Sequence, residues 1–105
     1  MQNNRLLKLQ EMLAETPNDI FLNYALAMEY KGLSHFEATI EQLNKVLLLD
    51  ENHVPTLYQL GVLLSERNEN DKAILFLEKG IEIAKQQKDL KTTNEFRALI
   101  DEILY

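Results

Sequence analysis

A chain of 105 residues with a net charge of −6 and no cysteine fits a single domain, and the lack of thiols excludes disulfides, thiolate nucleophiles and sulfur-ligated zinc. Its Lys and Arg, scattered among more numerous Asp and Glu, form no basic face of the kind that neutralises phosphates, which argues against nucleic acid and against anionic membrane surfaces as partners. Glycine and proline are scarce, at 3 and 2 residues, so turns should be few and elements long, which favours helices over many short strands.

The N-terminal stretch MQNNRLLKLQEMLAETPND interrupts its apolar positions with charges, so it reads neither as a secretory signal nor as a membrane span, and a cytoplasmic location is expected. The spacing of Leu6, Leu9 and Leu13 predicts a first helix over residues 3–15, with Pro17 beyond its end. A second helix is expected over 19–31, capped by Asp19 or Asn18 and ended by Gly32. Ser34, with Glu37 three residues on, suggests a capping box opening a third helix over 36–49. Asn52 and Pro55 bracket the start of a fourth over 54–67, where proline suits the first turn. Asn70 is the expected cap of a fifth over 70–86. Phe96, Leu99, Ile100, Ile103 and Leu104 fall at helical spacing and predict a sixth over 90–104.

Sliding the sequence against itself by 34 residues aligns Tyr24 with Tyr58, Leu26 with Leu60, Ile40 with Ile74, Leu43 with Leu77 and Lys45 with Lys79. Conservative pairs extend the match: Ile20 with Val54, Ala27 with Gly61, Leu47 with Ile81 and Leu49 with Ile83. This is the period of the tetratricopeptide repeat, and the residues resemble its pattern of a large residue, Leu-Gly, an aromatic, a small Ala, a large apolar residue and a closing Pro. The second unit reads Leu57, Leu60-Gly61, Leu64, Ala73, Leu77 and Gly80; the first reads Asn23, Leu26-Ala27, Tyr30, Thr39, Leu43 and Val46. The small residues Ala27, Gly61 and Ala73 suit close approach of paired helices. Three departures stand out. Asn23 replaces the large residue, leaving Phe21 or Tyr24 to fill its space. Thr39 replaces the small Ala, and Glu51 and Lys85 stand where the closing Pro is expected.

The resemblance, which extends to small stand-alone bacterial proteins of this family, implies an all-α fold of antiparallel helix-turn-helix repeats stacked in a right-handed superhelix. It divides the chain into an N-terminal half-repeat (1–19), a first repeat (20–53), a second repeat (54–87) and a C-terminal capping helix (88–105). Pro17 and the leucines of the first helix lie one period before Glu51 and the leucines of the third, as expected of the second helix of a unit. Terminal repeats are atypical because one face meets water.

Catalytic and metal signatures are missing from the sequence. His35 and His53 fall in separate predicted turns, where solvent exposure is the simpler reading than convergence with carboxylates. The many acids read as a solvated face, and no glycine-rich phosphate loop occurs. The expectation is therefore no enzyme, no metal and no cofactor.

What the resemblance implies instead is a protein-interaction scaffold whose first helices line a concave groove. The groove residues would be Phe21, Tyr24, Met28 and Lys31 of the first unit, Pro55, Tyr58, Val62 and Glu66 of the second, and Phe96 of the capping helix. Tyr30 reads as core; Tyr24 and Tyr58 read either as groove lining or as partial core. The carboxylate-holding residues of chaperone-binding members are not matched, so an apolar or amphipathic peptide or helix is the expected occupant. Glu29 and Glu66 would favour basic residues flanking it. The alternative is a self-associating structural module, a homodimer formed through the groove or the C-terminal helix.

Overall fold

The computed structural model describes residues 4–105, which fold into six α-helices with no strand among them. These are α1 (Asn4–Glu15), α2 (Ile20–Gly32), α3 (Phe36–Leu49), α4 (Val54–Glu66), α5 (Asn70–Gln86) and α6 (Leu90–Leu104). Asn3, the predicted start of the first helix, lies outside the described residues. The helices fall into two compact units, the first running to Glu51 and the second from Asn52 to Tyr105.

In the first unit, α2 packs against both α1 and α3. Leu26, Ala27, Leu43 and Val46 are buried between α2 and α3, at the spacing that places them on one stripe of each helix. No residue of α1 is fully buried; it lays Leu6, Leu9 and Leu13 half-buried on α2 and adds polar ties at its rim. The Arg5 guanidinium lies 3.5 Å from the Glu29 carboxylate, and the Gln10 amide donates to the Tyr30 hydroxyl at 3.3 Å. Tyr30 is thus half-buried at this rim instead of lying in the core.

Asn23 corrects the sequence reading. Neither Phe21 nor Tyr24 fills the space of the missing large residue, because Asn23 itself occupies it with no exposure. Its amide nitrogen donates to the carbonyls of Pro17 (3.0 Å) and Asp19 (2.8 Å), and its Oδ1 accepts from Gln42 Nε2 at 2.6 Å. A buried amide is tolerated when its donors and acceptor are all met, and here one side chain joins the α1–α2 turn, α2 and α3.

In the second unit, α5 packs on α4 and on α6, and α4 also touches α6. Leu57, Leu60, Leu64, Ala73, Leu77 and Phe96 are its buried centre. A Cβ on Gly61 would overlap the Leu77 side chain, and one on Gly80 would overlap the Phe96 ring. Both contacts pair residues nearly equidistant from the intervening turn, as antiparallel hairpins require.

Three hairpins turn in the same way. Ser34, Asn68 and Lys88 adopt φ of 61°, 62° and 58°, and the N–H of the following residue reaches back to the carbonyl of Tyr30, Leu64 and Ala84 respectively. This is the Schellman C-cap, which satisfies helix-end carbonyls with one left-handed residue. It displaces two expectations. Gly32 is the last residue of α2 and does not supply the left-handed turn, and Ser34 is that turn residue, so it does not cap α3. His35 and Glu69 take the N-cap positions of α3 and α5 without a side-chain bond, which leaves Asn70 as the first residue of its helix. Asp19 and Asp89 do cap, accepting from the backbone N–H of Leu22 and Thr92. Five residues beyond each left-handed residue stands a buried small side chain: Thr39, Ala73 or Thr93. Threonine serves there because its hydroxyl donates to the carbonyl one turn back, His35 for Thr39 and Asp89 for Thr93.

Candidate protein-binding surfaces

On α2, Phe21 is 71% exposed, Tyr24 and Met28 are half-buried, and Lys31 is exposed. Their spacing places them along one side of the helix, with Leu26 and Ala27 turned inward. Asn23 holds the interior position of this turn, and Phe21, two residues before it, lies on the outer side of the helix. Glu29 does not rim it as a free acid; it is drawn toward α1 by Arg5.

On α4, Pro55 sits in the first turn and is exposed, Tyr58 and Val62 are half-buried, and Glu66 is exposed at the last turn. Tyr58 leans on Phe96 edge to face, with ring centroids 5.2 Å apart. Phe96 itself departs from the expected groove lining. It is 2% exposed because its ring fills the notch above Gly80, so it supports Tyr58 from beneath and offers no surface to a partner. The available sequence signal was Gly80 inside α5, since an isolated glycine within a helix usually has a packing reason, but nothing in the repeat pattern tied it to Phe96.

Other exposed apolar side chains lie elsewhere. Leu48 of α3 and Leu75 of α5, on the second helices, are 88% and 67% exposed. On α6, Leu90 and Leu104 are 69% and 56% exposed. Leu90 also lines a cavity of about 310 Å³ with Lys85, Lys88, Asp89, Thr93 and Arg97, around the α5–α6 turn. Nothing in the repeat pattern marks this cavity, and Arg97 stands well apart from Lys85 and Lys88 in the sequence.

Among the described residues no group of three or more His, Asp or Glu is placed to hold a metal ion. His35 stands 6.3 Å from the Tyr30 ring, and His53 Nδ1 lies 2.7 Å from the Thr56 hydroxyl. No helix among the described residues is long and apolar enough to cross a membrane.

Comparison with solved structures places this arrangement. A protein of Bordetella parapertussis, determined in solution, superposes with a TM-score of 0.83 at 22% identity, covering 99% of this chain and 90% of that one. A tetratricopeptide repeat domain protein from Salinibacter ruber gives 0.76 at 28% identity, covering 83% of this chain and 88% of its own. The crystal structure of MamA gives 0.70 at 18% identity, covering 93% of this chain and 66% of that one. No protein of curated function matches the sequence. The family model described as tetratricopeptide repeat matches residues 22–53 and 54–87, so that, with its paired helices and all-α repeat fold, the chain belongs to the tetratricopeptide-repeat family.

Proposed function

We propose that the chain is a non-catalytic protein-binding module that takes an apolar or amphipathic peptide or helix of a partner on the exposed sides of its first helices. Repeats of this family generally mediate protein–protein interaction. The residues are Phe21, Tyr24, Met28 and Lys31 on α2, and Pro55, Tyr58, Val62 and Glu66 on α4. The observation that carries this reading is Phe21, a large aromatic that is 71% exposed and followed one and two turns on by partly exposed Tyr24 and Met28. Tyrosine and methionine suit such a surface, the one for area with a polar handle, the other for adaptability.

Photocrosslinking in the native source tests it. A photoreactive residue at Phe21 is expected to capture a discrete partner, while the same residue at Leu48 or Leu75 captures much less. A higher yield from the second helices sinks the assignment. As a complement, the double variant Phe21→Ala with Tyr24→Ala should weaken capture by about 2 kcal/mol or more, the ordinary size of a hot-spot truncation. It should melt closer to the parent than Leu26→Ala does. Tyr58→Ala is a less clean probe, because its ring also packs on Phe96.

A second reading, self-association, is favoured by the exposed apolar residues of α6, Leu90 and Leu104, with Tyr105 beyond them at 99% exposure. Sedimentation across protein concentration separates the two. A mass that doubles with concentration, and returns to the monomer in Leu90→Lys with Leu104→Lys, selects the dimer through α6.

A further inference from the structure

We propose that the cavity at the α5–α6 turn is a second docking site, one that receives an acidic polypeptide segment carrying an apolar side chain. The inference presupposes a protein-binding role but uses none of the α2 or α4 residues, so each site stands or falls by its own variants.

Three cations, Lys85, Lys88 and Arg97, line the one cavity of about 310 Å³, with Leu90 and Thr93 beside them. None of the three cations is in an ion pair among the described residues. The one acid present, Asp89, is already engaged: its two carboxylate oxygens accept from the Thr92 backbone N–H (3.1 Å) and the Thr92 hydroxyl (2.7 Å). The cavity therefore keeps a net positive charge within a protein of net charge −6. Leu90, 69% exposed, adds an apolar wall next to that charge. The combination fits a ligand that presents carboxylates and an apolar group together, and suits it better than a bare anion.

The simpler explanation of these cations is compensation of the α5 C-terminus, where positive charge is favourable. It accounts for Lys85 and Lys88, which stand at and just past that end. It does not account for Arg97, which lies in the middle of α6, nor for the exposed Leu90. The α4–α5 hairpin supplies an internal comparison, since it has the same left-handed turn at Asn68. Its cavity, about 290 Å³, is lined by Asn68, Glu69, Asn70, Asp71 and Lys72, and its one cation is 3.4 Å from Glu69. The positive, partly apolar character thus belongs to the side chains of the α5–α6 hairpin and not to the turn geometry.

The test is fluorescence anisotropy with a dye-labelled hexapeptide of alternating glutamate and leucine, its termini blocked, on the full chain. Binding is expected, weakened about tenfold by Arg97→Glu and by a rise in salt from about 50 to about 300 mM, as an exposed charge-steered contact should be. Leu90→Ser should weaken it too, while Lys45→Glu, at an exposed position on α3, should leave it unchanged. Arg97→Gln, at an exposed position, serves as the milder variant, with circular dichroism confirming the fold. Three results each overturn the proposal: equal binding of the corresponding lysine–leucine peptide, unchanged binding in Arg97→Glu, or displacement of the peptide by pyrophosphate at matching concentration. The last would leave a simple anion site.

Discussion

At the scale of single residues, Gly80 and Asn23 carry the sharpest consequences. Glycine inside a helix ordinarily destabilises it by about 1 kcal/mol relative to alanine, so Gly80→Ala should help if only the helix mattered. The Phe96 ring occupies the space a Cβ needs, and overpacking of this kind costs roughly 1–3 kcal/mol. Gly80→Ala should therefore lower the melting temperature, and by more than Gly61→Ala, because the methyl ends of Leu77 can turn aside and an aromatic ring cannot. At Asn23, removing one partner leaves a buried amide unmet. Gln42→Leu alone should destabilise by about 1–3 kcal/mol, whereas Asn23→Leu combined with Gln42→Leu should recover part of it, since replacing both partners by apolar groups removes the demand between them while the Pro17 carbonyl loses its donor. A non-additive double-mutant cycle in chemical denaturation is the readout. Asp89 offers a titration. The Thr92 hydroxyl first, and its backbone N–H second, hold the Asp89 carboxyl below its ordinary 3.8. Its folded value being depressed, the associated stabilisation is present above 3.8 and is lost as pH falls through the lowered value. Thr92→Val should move the Asp89 resonance titration upward by NMR.

At the scale of elements, the helices were legible because apolar residues recur at helical spacing over long stretches and because one period repeats with no insertion from Ile20 to the end of the second repeat. The turns were not. A Schellman cap is usually announced by glycine or asparagine at its left-handed residue, and only Asn68 obeys; Ser34 and Lys88 hide the same conformation behind residues that rarely adopt it. Left-handed backbone costs a side-chain-bearing residue about 1–2 kcal/mol. Ser34→Gly should accordingly raise the melting temperature, and Asn68→Gly should do so less, as asparagine tolerates the region. The surface strip was legible in part. Repeat symmetry pointed to Tyr24 and Tyr58, and both lie partly exposed. Phe96 escaped because α6 breaks the period, so its partner, Gly80, could be read only as the end of a motif. Removal of residues 90–105 should uncover Gly80, Ile83 and Ala84 of α5, all now buried. Loss of helicity or aggregation by light scattering is the expected result; a fully helical monomer would show that α6 is dispensable to its unit.

At the scale of the whole molecule, the acidic balance and the absence of signature chemistry were plain from composition, while the sign of charge at one hairpin was not, because only folding gathers Lys85, Lys88 and Arg97 around one cavity. The two units also differ in how they close. In the second, α4, α5 and α6 all touch one another and each contains buried residues. In the first, α1 has no buried residue at all, and its polar ties to α2 include an exposed ion pair and a long hydrogen bond. Amide protons report such differences directly, since each exchanges with solvent at a rate set by the cheapest opening that frees it. The amides of α1 should exchange first among the helices, at a free energy well under that of global unfolding, and those of α4 and α5 last. A first helix that opens on its own would lay bare the side of α2 carrying Glu29 and Tyr30, so that the molecule in solution would spend a measurable fraction of its time with a wider face of α2 open to water than the closed structure displays.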